Sequence, residues 1–184
     1  MLTVTAPVPA DQYAFLANVN TKVQFIALLS SSLKIAGFVV IQAEADADTD
    51  IVEAALERST AGNSVAVAAD DTDILVLLMY HLSDDMNDVC LVSQSRSKKT
   101  GNFKETSIRQ VQQKIGKQAR KQLLAVHAIG GCDTTSAIFG IGKGTVLKRL
   151  CQVTHYVGLT SVLQDRNSQL DDVIAAGLEL LAAL

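Results

Sequence analysis

Between Lys22 and Ala36 the apolar residues Val23, Ile26, Ala27, Leu29, Leu33 and Ile35 recur near helical spacing, and Gly37 supplies a stop. This predicts a helix over 22–36, followed by a strand at Phe38–Ile41, where FVVI is a short run of β-forming residues. Thr49–Glu57 then reads as a second helix with Ile51, Val52, Ala55 and Leu56 inward, and the polar turn Thr60-Ala61-Gly62-Asn63 leads to a strand at Val65–Ala69. The apolar run Ile74–Tyr80 is too dense for periodicity to classify, but it follows an acidic turn and is read as the start of a helix. Val89–Ser93 predicts a third strand. Farther on, Arg120–Ile129 and Thr145–Val153 are apolar at helical intervals and flank the glycine-rich run GCDTTSAIFGIGKG. The closing LDDVIAAGLELLAAL reads as an amphipathic helix with a wide apolar side, expected to pack on this domain or on something outside the chain.

Strands alternating with helices imply parallel pairing through right-handed crossovers, hence an α/β sandwich. Ligands of such sheets gather at the carboxyl ends of the strands. That rule gives the acidic residues meaning. Glu44, Asp46 and Asp48 follow the expected Phe38 strand, Asp70, Asp71 and Asp73 follow the Val65 strand, and Asp133 opens the glycine-rich run. Carboxylates gathered at one sheet edge repel unless something offsets them. Mg²⁺ takes octahedral oxygen ligands, and two such ions about 4 Å apart activate a water and stabilise the leaving oxygen of a phosphodiester. Any single aspartate before a helix is more simply an N-cap; five or six together strain that explanation.

Composition narrows the class. At 184 residues and 48% apolar, the chain can bury one good core, so a single domain over 1–184 is expected. No apolar run reaches the length of a membrane span, and MLTVTAPVPADQYAF lacks the basic start and apolar centre of a signal peptide, which predicts a soluble intracellular protein. Cys90, Cys132 and Cys151 are odd in number and form no CxxC, so they read as reduced thiols. His81, His127 and His155 lack zinc spacing, and His127 reads as a helix-face residue near the site rather than a ligand.

The net charge of −3 conceals a separation: residues 44–88 hold twelve of nineteen acids and one base, while residues 96–121 hold nine of sixteen bases and one acid. The basic stretch is as compatible with a solvated face as with a polyanion footprint. Two other motifs fail on inspection. Asp46, Asp48, Asp50 and Glu57 match an EF-hand loop, but its sixth position is Ile51 where glycine is needed. A Walker loop ending at Lys143 would need glycine at Ala137 and a hydroxyl at Gly144. The turn at Gly140 and Gly142 suits a phosphate at a helix N-terminus, with Lys143, Lys148 and Arg149 adding charge without base specificity; a plain helix connection would use glycines equally well.

The order EAD, helix, strand ending in DDTD, helix, then GGCDTTSAIFGIGKGTVLKRL resembles the PIN-like 5′-nuclease superfamily, whose best-known members are flap endonucleases. The likeness covers about residues 20–155 and lies nearest to uncharacterised PIN-like proteins. It implies a three-layer sandwich around a central, mostly parallel sheet at 20–115, a helix-two-turn-helix segment at 116–155 and C-terminal helices at 156–184. By the same resemblance, Glu44, Asp46, Asp71, Asp73 and Asp133 are the catalytic acids. Asp48 joins them as a ligand of two Mg²⁺ or Mn²⁺ ions: Asp71, Asp73 and Asp133 hold one, Glu44 and Asp46 the other. Gly140, Gly142, Lys143, Lys148 and Arg149 would hold duplex DNA, with a monovalent cation at the turn. DNA is expected over RNA, and a nuclear location with it. Family members begin with a strand bearing a metal-binding aspartate and carry a basic helical arch; residues 1–43 offer only Asp11, so a fragment or a shortened descendant is expected. Two functions stay open: a metal-dependent, structure-specific nuclease, or a catalytically inactive module that binds nucleic acid or protein.

Overall fold

A computed structural model describes residues 11–96, 101–151 and 153–184, which fall into two compact units, one ending at Ala45 and one running from Asp46 to Leu184. The first unit holds two helices, α1 (Gln12–Ala17) and α2 (Val19–Ile35). Asn18 starts α2 because its side-chain oxygen accepts the Thr21 N–H at 3.1 Å, and Gly37, at φ +87°, turns the chain away after it. Phe15 and Phe25 meet edge to face, 5.8 Å between ring centres. The strand expected at Phe38–Ile41 does not form: the segment is irregular, with Phe38, Val39 and Ile41 exposed. β-propensity expresses itself only where a neighbouring strand completes the ladder, and the described residues supply none here.

The second unit is α/β. Its elements run α3 (Asp48–Thr60), β1 (Val65–Ala68), α4 (Thr72–His81), β2 (Val89–Arg96), β3 (Phe103–Ser107), α5 (Ile108–Ile129), α6 (Lys143–Cys151), α7 (Thr154–Gln164) and α8 (Leu170–Ala182). The sheet has the order β1-β2-β3 and is mixed. β1 pairs with β2 in parallel, Val67 opposite Leu91, whereas β3 returns antiparallel with Thr106 opposite Leu91. The mostly parallel sheet expected from the sequence thus shrinks to one parallel pair. The extra antiparallel strand is short and polar, FKETS, which hides it from a search for apolar runs.

Val52, Ile74, Leu78, Leu82, Val89, Ile108 and Leu123 form the main core where α3, α4 and α5 cover the sheet. Gln112 ties this core together by donating its buried amide to the Met79 and Leu82 carbonyls at 2.8 and 2.9 Å, at the free end of α4. Gly116, at φ 80° and ψ 163°, breaks α5 into two helical stretches. The second stretch carries Val126 into a smaller core with Val146, Leu150 and Leu180, which joins α5, α6 and α8. Only one side of α8 is used there: Ala176 and Leu180 are buried, while Leu170, Ile174, Leu178 and Leu181 are exposed.

Candidate metal centre

β1 ends at Ala68, and the chain turns at once into α4 through Asp70-Asp71-Thr72-Asp73. Asp71 caps the helix, its Oδ1 accepting the Asp73 N–H at 2.8 Å. Asp48 arrives from another direction, as the first residue of α3 rather than from a strand end. Asp46 holds that start, its Oδ1 accepting the Asp48 N–H at 3.2 Å. One carboxylate oxygen each from Asp48, Asp71 and Asp73 lies within 4.8 Å of the others. Burial foremost, then the negative charges of Asp46, Asp71, Asp73 and Asp133, push the Asp48 carboxyl above its ordinary 3.8. Four sequence-predicted acids from three chain segments therefore act on Asp48.

Asp70 and Asp88 have other partners. Glu44 belongs to the first unit, and the cluster described here consists of second-unit residues alone. Asp70 is a strand tie: it accepts from the Ser93 hydroxyl and from the Gln94 N–H at 3.2 Å. Asp88 accepts the Arg109 N–H at 2.9 Å and the Ser107 hydroxyl at 2.5 Å, fixing the start of α5.

Beside the acids stands a pair that spacing did not mark as ligands. His127, on the second half of α5, puts Nε2 2.9 Å from Asp73 Oδ1. The two groups form a close ion-pair contact without the alignment of a hydrogen bond. Cys132 follows after the Gly130-Gly131 corner, and His127, Cys132 and Asp73 each bring one ligand atom to within 4.8 Å of the other two. Its sulfur lies 3.3 Å from the Thr134 hydroxyl and 3.2 Å from that of Thr135, contacts that lower the thiol's pKa, whereas burial raises those of Cys90 and Cys151. The corner depends on glycine twice. A Cβ at Gly130 would meet Lys143 Cγ at 2.9 Å, and Gly131 sits at φ +88° with Ala137 Cβ 2.6 Å from where its own would be. This close passage of α5 against α6 places Lys143 Nζ 4.0 Å from Asp73.

The glycine-rich turn lies next to it. Gly140 takes φ +77° in open space, and the Gly142 carbonyl accepts the Thr145 and Val146 N–H groups at 2.8 and 3.2 Å, opening α6. The Lys143 and Gly144 amides in that first turn have no intrahelical acceptor. Lys148 and Arg149 are exposed farther along α6, and Phe139 stands wholly exposed before Gly140. The basic stretch is less available than its composition suggests. Arg109 and Arg120 both reach Asp84 at 3.4 Å and donate to the carbonyls of Met86 and Leu82 at 2.7 and 2.6 Å. Arg96 lies over the Phe103 ring, 5.0 Å from its centre. Lys98 and Lys99 fall outside the described residues.

No protein-family model, no curated protein and no solved structure matches this chain. Among the described residues no helix is long and apolar enough to cross a membrane.

Proposed function

We propose that the chain is a divalent-metal-dependent nuclease domain of the PIN-like 5′-nuclease type, hydrolysing phosphodiester bonds in DNA. The observation that carries this reading is the convergence of Asp48, Asp71 and Asp73, with Asp46 and Asp133 acting on Asp48, at the carboxyl end of β1. The donor set fits the ion: all its ligands are hard oxygens, as Mg²⁺ and Mn²⁺ prefer. Asp48 is held above its ordinary pKa by burial first and then by like charges that a divalent cation would neutralise. When bound, such cations lower the pKa of water and stabilise the leaving oxygen.

The chain's own residues supply the rest. Asp71 and Asp73 are held in place by the capped start of α4, so their carboxylates are positioned before any ligand arrives. Lys143, beside Asp73, is placed to meet a phosphate oxygen, and the first-turn amides of α6 offer N–H donors to the next one. Lys148 and Arg149 extend the phosphate track, and the Gly140–Gly142 turn is the place for a monovalent cation between backbone and DNA. The parallel β1–β2 pair under α3, α4 and α5 is the part of the architecture that supports a PIN-like sandwich, and a DNA substrate supports a nuclear location. A second reading, an inactive nucleic-acid-binding module, draws on Lys143, because its ammonium supplies Asp73 with a positive charge from the chain itself.

A cleavage assay on 5′-labelled single-stranded, duplex and flap DNA with Mg²⁺ or Mn²⁺ tests the proposal. Cutting that disappears in Asp71→Asn/Asp73→Asn supports it, since asparagine keeps the helix cap and removes the charge. Binding without cutting by the unaltered chain would select the second reading.

A further inference from the structure

We propose that Asp73, His127 and Cys132 form a second cation site, one that takes a thiophilic divalent ion such as Zn²⁺ and shares the Asp73 carboxylate with the all-oxygen site. The donor chemistry sets the two apart. Carboxylates alone suit Mg²⁺ or Mn²⁺, whereas an imidazole and a thiolate select zinc-like ions.

Geometry favours ligation over the two ordinary explanations for such a group. In a proton relay the two imidazole nitrogens face different partners. Here one atom from each residue converges, all three within 4.8 Å, around a single point. Zinc bonds of about 2.0–2.3 Å place neighbouring ligand atoms roughly 3.5 Å apart, so modest side-chain rotation closes the set. A plain His–Asp ion pair accounts for two members of the group and leaves the third, Cys132, without a role. Nε2 of His127, on a side chain 11% exposed, lies in that ion-pair contact, 2.9 Å from Asp73, without the alignment of a hydrogen bond. A metal bond would give this nitrogen the directional partner that the ion-pair contact lacks.

The surroundings fit a ligand sulfur. Thr134 brings its hydroxyl to 3.3 Å from Cys132 Sγ, and the Thr135 hydroxyl, donating to the Ala128 carbonyl at 2.6 Å, pins the loop to the end of α5. Three protein ligands leave a fourth position open to water or to a phosphate oxygen. The proposal leans on the nuclease reading only through the shared Asp73; the site itself stands on His127 and Cys132.

Co²⁺ titration of the full chain reads the sulfur directly. The expected result is one equivalent of Co²⁺ giving a thiolate-to-cobalt charge-transfer band in the near ultraviolet, bleached by Zn²⁺. Cys132→Ser should abolish the band and weaken Zn²⁺ binding about tenfold or more, while Cys90→Ser and Cys151→Ser retain both. Circular dichroism confirms that each variant is folded, and the serine variants at the other two cysteines control for the loss of a thiol as such. No band in the unaltered chain, or a band that survives Cys132→Ser, overturns the site. Because Asp71 is not among these ligands, the band should persist in Asp71→Asn whether or not the chain cuts DNA, so the two proposals fail separately.

Discussion

Gly131 and Gly140 both hold left-handed backbone, at φ +88° and +77°, yet an added Cβ would meet Ala137 at 2.6 Å in the first case and nothing within 4 Å in the second. Alanine at either position bears the backbone penalty, about 1–2 kcal/mol. Only Gly131→Ala adds a clash with a backbone neighbour, and forced overpacking of that kind costs a further ~1–3 kcal/mol. The expected losses are therefore about 2–5 kcal/mol for Gly131→Ala and about 1–2 kcal/mol for Gly140→Ala. Urea unfolding followed by far-ultraviolet circular dichroism separates them: with a slope of about 2 kcal/mol per molar, the midpoints should differ by on the order of 1 M. Gly131→Ala should also displace Cys132 and so weaken Co²⁺ binding even where the chain still folds. Equal midpoints for the two variants would refute the close passage of Gly131 against Ala137, and with it the corner that brings Cys132 to His127.

Further outcomes follow from the same structure. Asp48 binds its proton more tightly in the native chain than in the unfolded one, so its contribution to stability falls as pH rises through the window above its ordinary 3.8; Asp48→Asn should stabilise the metal-free chain at neutral pH, with the gain fading toward acid. Melting temperatures across pH check this, and a gain that grows on acidification would contradict it. Gln122 is fully buried with both amide atoms unpartnered, so Gln122→Met should raise stability by about 1–3 kcal/mol in chemical denaturation. Lys148→Gln/Arg149→Gln should weaken DNA binding and reduce its logarithmic salt slope by about 2, whereas Arg120→Gln, which breaks the Leu82 and Asp84 contacts, should lower stability and leave that slope unchanged.

Much of the second unit was legible. Where apolar spacing and punctuation agree, as in α3, β1 and α6, sequence and structure coincide to within a few residues, whereas the helix expected from Arg120 to Ile129 already begins at Ile108. The convergence of Asp48, Asp71 and Asp73 was legible too, though by a different route: Asp48 enters from a helix start because Phe38–Ile41 makes no strand. Strand formation depends on a partner, which a run of β-formers cannot announce. His127 and Cys132 were missed as a pair for a related reason. Their separation of five residues matches no zinc spacing, and only the tight Gly130-Gly131 corner, which folds the loop back on the helix end, brings the sulfur to the imidazole. The engagement of Arg109 and Arg120 with Asp84 was likewise invisible, since charge composition does not reveal which cations are already held by carbonyls.

Acids from separate segments are proposed to act as one site for a hard divalent cation. Titrating Mn²⁺ into the full chain, with free Mn²⁺ read by electron paramagnetic resonance, tests it most directly. Saturable binding to the unaltered chain, lost in Asp48→Asn and in Asp71→Asn and kept in Cys132→Ser, is the expected result. Binding of equal strength in Asp48→Asn and the unaltered chain, or none in either, would contradict it.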